Sequence, residues 1–332
     1  MEAIRVENLS KVFKVREPKG AGAAGWVRSL FRPVVREVFA VKELSFTIQE
    51  GERVGLIGVN GAGKSTTIKM LTGILNPTSG RVEVLGLNPQ AERVRTSRHI
   101  SAVFGQRSQL WWDLPYRDSL ALIGLMYGMP PVQLAKAAAE LTEALRLGDL
   151  LDKPVRTMSL GQKMRAELGA ALIHKPRIAF LDEPTIGLDV LAKQSIREVI
   201  LERNTQDGMT IFLTSHDIED LERVADRIIV IDSGEKLFDG SIVGLKRRFG
   251  SGRTIEVQLA SPMEPSPMIS LPDGATEVAH SDGKLVIRVD PDRSSPAEVI
   301  VSLLGQIDFV DFSLIETDLS HVISRIASEG KP

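Results

Sequence analysis

The run Gly58-Val59-Asn60-Gly61-Ala62-Gly63-Lys64-Ser65 constrains this chain more than any other stretch. It fits G-x-x-x-x-G-K-[ST] without departure, a match that carries weight only between a strand and a helix. Both flank it: the apolar run Val54–Ile57 precedes, and Ile68, Leu71 and Leu75 follow at helical spacing. The glycines let backbone N–H groups turn inward on phosphate oxygens, where a Cβ would obstruct. The N-terminus of the following helix adds partial positive charge. Lys64 is expected to reach the β- and γ-phosphates of a triphosphate and Ser65 to ligate Mg2+. Thr66 is a candidate donor to the α-phosphate. The competing reading, a glycine-rich turn that binds nothing, is disfavoured by the strand and helix on either side.

The surroundings supply the fold class. From Val38 to about Gly240, apolar strands alternate with helical segments, the pattern of an α/β domain built on a parallel sheet with crossover helices. The clearest strands are Val54–Ile57, Ile178–Leu181, Ile211–Thr214 and Ile228–Ile231. Residues 116–175 are expected to be mostly helical, with Leu134, Ala138, Leu141 and Leu145 on one face. Residues 1–14 alternate like a strand, and 15–37 break that pattern as an insertion. After about Leu245 the texture changes. Segment 260–275 is rich in Pro and Ser, and strand-like runs Thr254–Leu259 and Leu285–Val289 lie on either side of it. A helix near Pro296–Leu304, a strand at Phe309–Leu314 and a helix near Asp318–Ala327 follow. We therefore expect an α/β domain over 1–245 and a small α+β domain over 246–332, lengths that let each bury its own core.

Composition removes several function classes. The formal net charge is −2, so no global basic field points to nucleic acid. There are no cysteines, which excludes disulfides, thiolate zinc sites and cysteine nucleophiles. No apolar run approaches the roughly 20 residues of a spanning helix. The charged start MEAIRVENLSKVFKV lacks the apolar stretch of a signal peptide. A cytoplasmic location is expected, with any membrane role exercised through a partner or a surface contact.

Two further strand ends carry chemistry. Ile178-Ala179-Phe180-Leu181 runs into Asp182-Glu183-Pro184, placing two carboxylates at the sheet edge where open α/β sheets bind ligands. Asp182 is expected to hold magnesium and Glu183 to polarise an attacking water. A solvated acidic turn is the alternative for the pair taken alone. Leu213-Thr214-Ser215-His216-Asp217 ends another strand, which is expected to lie beside the first and to present His216 to the γ-phosphate.

With these residues in place, the chain resembles the ABC transporter ATPases over about residues 1–240. Gly58–Ser65 corresponds to the Walker A motif of that family and Ile178–Glu183 to Walker B with its glutamate. Ile186-Gly187-Leu188-Asp189 resembles the D-loop, His216 the switch histidine, and Gln106 the Q-loop glutamine. Met158-Ser159-Leu160-Gly161-Gln162 is similar to the family signature L-S-G-G-Q, from which Met158 and Leu160 depart. Ser159 and Gln162 also have the spacing of a capping box. The resemblance implies a P-loop NTPase fold of ABC type with a helical subdomain. It implies ATP and Mg2+, with Gln106, Ser65 and Asp182 toward the metal and Glu183, His216 and Gln106 toward the reaction. It implies that Ser159, Gly161, Gln162 and Asp189 of one subunit close over the Walker A motif of another, a second copy or a paralogue. The family's adenine-stacking tyrosine has no counterpart before Walker A; Phe13 is the first candidate and Phe39 the second, with core packing the alternative for both.

The resemblance also implies separate permease subunits. Arg107-Ser-Gln-Leu-Trp111-Trp112 follows Gln106 directly, and tryptophans anchor interfaces. A groove for a permease helix and ordinary core packing are the two readings. Segment 26–39, WVRSLFRPVVREVF, mixes aromatics with three arginines and suits a membrane surface, a permease contact or a plain surface insertion. This insertion resembles that of polysaccharide and multidrug exporter ATPases, and the tail Ile315-Glu-Thr-Asp-Leu-Ser-His-Val-Ile is similar to the acidic helix that ends exporter ATPases of the daunorubicin-resistance type. An importer ATPase and an ABC protein acting on ribosomes or DNA are the alternatives. Against the latter, the chain has one ATPase module and no long heptad coiled coil.

Overall fold

Two long strands, β1 (Glu2–Glu17) and β2 (Val34–Gln49), pair antiparallel from Glu2↔Gln49 to Glu17↔Val34. The computed structural model describes residues 1–17, 34–105, 108–215, 217–249, 253–260, 269–281, 283–290 and 293–315. Both ends of the segment expected to be an insertion, 15–17 and 34–37, are therefore strand. The alternation of side chains weakens there, but pairs such as Val15↔Arg36 continue the ladder. Trp26 and its neighbours lie outside the described residues, as do the last expected helix and the exporter-like tail beyond Ile315.

The chain divides into two compact units, Met1–Ser241 and Ile242–Pro332. In the first, β3 (Arg53–Ile57) leads through a loop into α1 (Lys64–Leu71). That helix is shorter than the spacing of Ile68, Leu71 and Leu75 suggests. Thr72 turns its hydroxyl back onto the Ile68 carbonyl at 2.9 Å, and Gly73 takes a left-handed φ of 71°. β4 (Ser79–Val84) returns to pair with β1, giving a three-stranded antiparallel sheet in the order β2-β1-β4. α2 (Arg93–Ser97) and β5 (Ile100–Phe104) precede the helical segment.

That segment holds α3 (Tyr116–Met126), α4 (Pro131–Ala144) and α5 (Leu160–Leu172), with short 3-10 turns at Gly148–Leu150 and Val155–Thr157. On α4 the buried stripe runs through Ala137, Leu141 and Leu145; Leu134 and Ala138 flank it half-buried. Then follow β6 (Ile178–Asp182), α6 (Val190–Asp207), β7 (Thr210–Thr214), α7 (Ile218–Val224), β8 (Arg227–Asp232) and β9 (Glu235–Ser241).

The main sheet has the order β5-β6-β7-β3-β8-β9, parallel except for the last pair. Every residue of β6 and β7 is buried, which explains why Ile178–Leu181 and Ile211–Leu213 are continuous apolar runs rather than alternating ones. One core joins the two sheets and α1: Ile4, Leu9 and Ile48 pack with Ile68, Leu71, Phe180 and Phe212. Phe46 stacks on Phe212 at 6.0 Å between centroids, and Phe180 meets Phe212 edge-on at the same distance. No helix among the described residues is long and apolar enough to cross a membrane.

The second unit contains α8 (Ile242–Phe249), β10 (Arg253–Leu259), β11 (Ala275–Ser281), β12 (Lys284–Val289), α9 (Pro296–Leu304) and β13 (Phe309–Ile315). Its antiparallel sheet has the order β11-β12-β10-β13. Val299 and Leu303 of α9 cover Ile255, Val257, Leu285 and Ile287. β11 has no counterpart in the sequence reading, because Ala275-Thr-Glu-Val-Ala-His-Ser offers few apolar residues to mark a strand.

A close contact in the helical segment gives a test of this packing. An alanine Cβ at Gly169 of α5 would stand 2.3 Å from the Tyr116 hydroxyl. That hydroxyl is fully buried and has no hydrogen-bond partner among the described residues. Gly169→Ala should therefore destabilise the protein by about 1–3 kcal/mol. Removing the oxygen with Tyr116→Phe should recover most of that loss in the double variant, read as thermal unfolding midpoints. An unchanged midpoint for Gly169→Ala would contradict the packing.

Candidate functional site

The loop from Gly58 to Gly63 is built by its neighbours as much as by its own residues. β2 carries an extra residue at Ala40, between the pairs Lys11↔Val41 and Val12↔Phe39, and such bulges re-aim a strand locally. The Ala40 carbonyl approaches Gly63 so closely that a Cβ there would lie 2.3 Å from it, and Gly63 has φ 106°. Only glycine meets both conditions. Ala62 is buried; its amide donates to the Val59 carbonyl and its carbonyl accepts from the Gly234 amide, each at 3.1 Å. Val59, Asn60 and Gly61 are exposed at the tip, and Gly58 is half-buried.

Lys64 folds back across this loop. Its Nζ donates to the Gly58 carbonyl at 2.7 Å and the Val59 carbonyl at 3.3 Å. Burial pushes its pKa down, while the Glu183 and Asp182 carboxylates oppose that shift. An anion entering the loop would add to the same opposing pull. Ser65 and Thr66 are half-buried at the start of α1.

Parallel register brings the carboxylates to the same place. Asp182 pairs with Thr214 on β7 and with Phe104 on β5, all at the C-terminal ends of their strands. The Thr214 hydroxyl donates to Asp182 Oδ1 at 2.7 Å. A hydrogen bond to a charged group of this kind contributes about 1.5–3 kcal/mol. It holds a buried carboxylate in one orientation. Glu183 has φ 56°, a left-handed backbone uncommon outside glycine. Its amide donates to both the carbonyl and the hydroxyl of Thr214 at 3.1 Å, which holds the strained turn.

Ser65, Asp182, Glu183, Gly105, Phe104 and Ile186 line one cleft of about 270 Å³. The Ser65 hydroxyl and the Asp182 carboxylate are hard oxygen donors, the type that suits a small divalent cation shared with phosphate and water. Among the described residues no cluster of three or more His, Cys, Asp or Glu could hold a metal by itself.

The signature residues stand elsewhere. Ser159, Gly161, Gln162 and Asp189 are not part of the cleft lining. Ser159 caps α5: its hydroxyl accepts from the Gln162 amide at 3.3 Å, and its amide donates to Gln162 Oε1 at 2.9 Å. Asp189 caps α6 through the Ala192 amide at 2.8 Å. The two stretches lie near each other within the chain, since a Cβ on Gly187 would be 3.1 Å from Leu160 Cδ2. Gln106 and His216 lie outside the described residues. Next to His216, the Ser215 hydroxyl accepts from the Asp217 amide at 3.0 Å, and the Asp217 carboxylate is paired with Lys193.

Neither aromatic candidate is a core residue: Phe13 is 39% exposed and Phe39 52%. Phe13 shares a face with Val38 and Phe39 shares the opposite face with Val12, so the two cannot serve one base together. Trp111 and Trp112 are 39% and 55% exposed, which removes core packing as their explanation. Several contributors escaped the sequence reading. Thr214 is the polar residue that closes the apolar run Ile211–Leu213, a signal that was available. Phe104, Lys69, Ile74 and Ile186 line the cleft only because separate elements converge there.

Comparison with known proteins identifies the family. The ABC transporter family profile matches residues 41–186. The linearmycin resistance ATP-binding protein LnrL of Bacillus subtilis (strain 168) is 35% identical over 266 residues, covering 80% of this chain and 85% of that protein. The Nod factor export ATP-binding protein I of Rhizobium sp. (strain N33) is also 35% identical, with the same coverage of each. The chain spans 26% of the length of ABC transporter A family member 1 of Dictyostelium discoideum, at 34% identity over 70% of its own residues. Among solved structures, an ATP-binding subunit of an ABC transporter aligns with TM-score 0.62 and 26% identity, over 75% of this chain and 93% of that one. A post-hydrolysis cassette dimer bound to ADP and Pi shares the fold, with TM-score 0.60 and 24% identity over 72% of this chain and 98% of that one. A glycine-rich loop whose Ser65 lines one cleft with two carboxylates, together with two bacterial relatives matched over most of their length, places this chain in the ABC transporter family as an ATP-binding and ATP-hydrolysing subunit.

Proposed function

We propose that two copies of this chain, or one copy and a paralogue, hydrolyse ATP head to tail and drive separate permease subunits, moving substrate outward. The observation that carries this reading is the division of the site. Ser65, which ends the glycine-rich loop, shares a cleft with Asp182 and Glu183, while Ser159, Gly161, Gln162 and Asp189 lie outside its lining. A second subunit would bring its own signature to that cleft, add donors and exclude water.

In this reading the loop amides and Lys64 bind the β- and γ-phosphates, with Thr66 at the α-phosphate and Phe13 against the adenine. Ser65 and Asp182, with Gln106, would hold Mg2+, which neutralises phosphate charge when bound. Thr214 fixes the Asp182 carboxylate in orientation. Glu183 accepts a proton from the attacking water, and the strained backbone turn sets where its carboxylate emerges. His216 donates to the γ-phosphate from the neighbouring strand end.

Outward transport is supported by two relatives, a Nod factor export protein and a linearmycin resistance protein. The exposed pair Trp111–Trp112 is the permease contact, which holds the protein at the cytoplasmic face of the membrane. Residues 246–332 form an accessory α+β domain.

Three variants test the reading. Glu183→Gln should retain ATP and accumulate a closed dimer while turnover falls about a hundredfold or more; normal turnover would remove Glu183 from its role. Lys64→Ala should weaken equilibrium binding of ATP about tenfold, since it deletes charge-assisted bonds to phosphate. Trp111→Ala with Trp112→Ala should leave the ATPase rate of the isolated protein within about twofold and abolish stimulation by the co-expressed permease. Assembly and stimulation that survive both changes would place the contact elsewhere.

A further inference from the structure

One buried carboxylate in the first unit has no part in the cleft. Glu167 lies on α5 at 5% exposure, between the buried Ala166 and Leu168. Burying a charge there is costly unless its oxygens are bonded. Both are bonded, and to one short stretch. Oε1 accepts from the Ser108 hydroxyl, and Oε2 accepts from the Gln109 amide at 3.1 Å. The Leu110 amide in turn donates to the Ser108 hydroxyl at 3.1 Å. Burial pushes the Glu167 carboxyl up; the Ser108 hydroxyl and the amides of Gln109 and Leu110 pull against that shift.

The position of this stretch gives the contact its meaning. At Gly105 the chain still belongs to the cleft: it lines it, and its amide donates to the Asp182 carbonyl at 3.1 Å. Three residues later, Ser108 is held by α5. From there the chain stays with the helical segment. The Arg156 amide donates to the Trp112 carbonyl at 2.9 Å, and the Val155 amide to the Leu114 carbonyl at 3.1 Å. One helical turn before Glu167, on the same face, Lys163 Nζ stands 4.4 Å from the centre of the Trp112 ring. The same helix begins at Ser159, eight residues before Glu167, a rigid span of about 12 Å.

We propose that Glu167 is a positioning residue for ATP hydrolysis: it clamps Ser108–Leu110 to α5, so that the Ser159 end of that helix follows the nucleotide cleft of its own chain. This rests on the proposed head-to-tail arrangement, in which Ser159 acts on the nucleotide of the partner. Occupancy of one cleft is thereby delivered to the other through Gly105, Ser108, Glu167 and α5. Glu167 touches neither nucleotide, so its loss acts on turnover and not on the binding of ATP to a single chain.

The test uses the full-length protein with ATP for steady-state turnover and a non-hydrolysable ATP analogue for equilibrium binding. Glu167→Leu keeps the volume and removes both acceptors. It should lower kcat about tenfold, the loss expected for charge-assisted bonds, while the Kd of the analogue stays within about twofold. Glu167→Gln keeps an acceptor for Gln109 and a partner for Ser108, and should restore kcat to within about threefold of wild type. Ser108→Ala should lower kcat at constant Kd and add little to Glu167→Leu, because the two act through one contact. Normal kcat in Glu167→Leu, or Glu167→Gln as impaired as Glu167→Leu, overturns the proposal. If Glu167→Leu does not fold, Ser108→Ala decides alone: lowered kcat at unchanged Kd supports the clamp, and wild-type kcat overturns it. Wild-type protein that neither binds the analogue nor cleaves ATP would instead defeat the head-to-tail hydrolysis reading itself.

Discussion

The common register of β3, β6 and β7 is the constraint from which the site follows. Leu56 pairs with Thr214 and Thr214 with Asp182, so three strands end at one level of the sheet. The loop after β3, the carboxylates after β6 and the hydroxyl ending β7 therefore converge without any long-range search by flexible side chains. A slip of one residue would turn each side chain to the opposite face. The slip is resisted by the aromatic cluster beneath: Phe180 and Phe212 are fully buried, and Phe46 from the antiparallel sheet stacks on Phe212. Packing in the core and alignment at the sheet edge are in this sense one property.

The electrostatics of the cleft build on that alignment. Lys64, Asp182 and Glu183 form a small set of opposite charges in which the burial of the ammonium is opposed by two carboxylates. Thr214 satisfies Asp182, and the backbone of the Glu183 turn is held by Thr214 as well. One threonine thus organises both acidic residues. Around the cleft, the signature end of α5 and the start of α6 are each closed by their own side-chain caps, Ser159 and Asp189. These helix ends are preformed surfaces, which, in the proposed head-to-tail arrangement, lowers the ordering cost of bringing a second subunit against them.

Much of this was legible in advance because the signals are local. A glycine-rich loop must sit between strand and helix to be useful, and β3 and α1 flank it. The buried interiors of β6, β7 and β8 are unbroken apolar runs, which made these strands visible within a residue or two. The capping box at Ser159 was readable from spacing alone. Other features were not. β11 carries too few apolar residues to announce itself, and the ends of β1 and β2 persist on ladder hydrogen bonds that no side-chain pattern reports. α1 stops a turn early because the Thr72 hydroxyl returns to the helix and Gly73 turns left-handed.

The sequence by itself determined the local pieces: a glycine-rich loop between a strand and a helix, two carboxylates that follow a buried strand, and a helix that starts with a capping serine. These are properties of covalent neighbours and of period. Only the tertiary structure decided which groups meet. Ala40, from a bulge in a different sheet, shapes the phosphate loop at Gly63. Thr214 reaches Asp182 across a strand boundary. Glu167 takes hold of Ser108, 59 residues away in the chain. Such contacts arise from strand register and helix packing between distant segments, and a one-dimensional pattern carries no record of the distance between them.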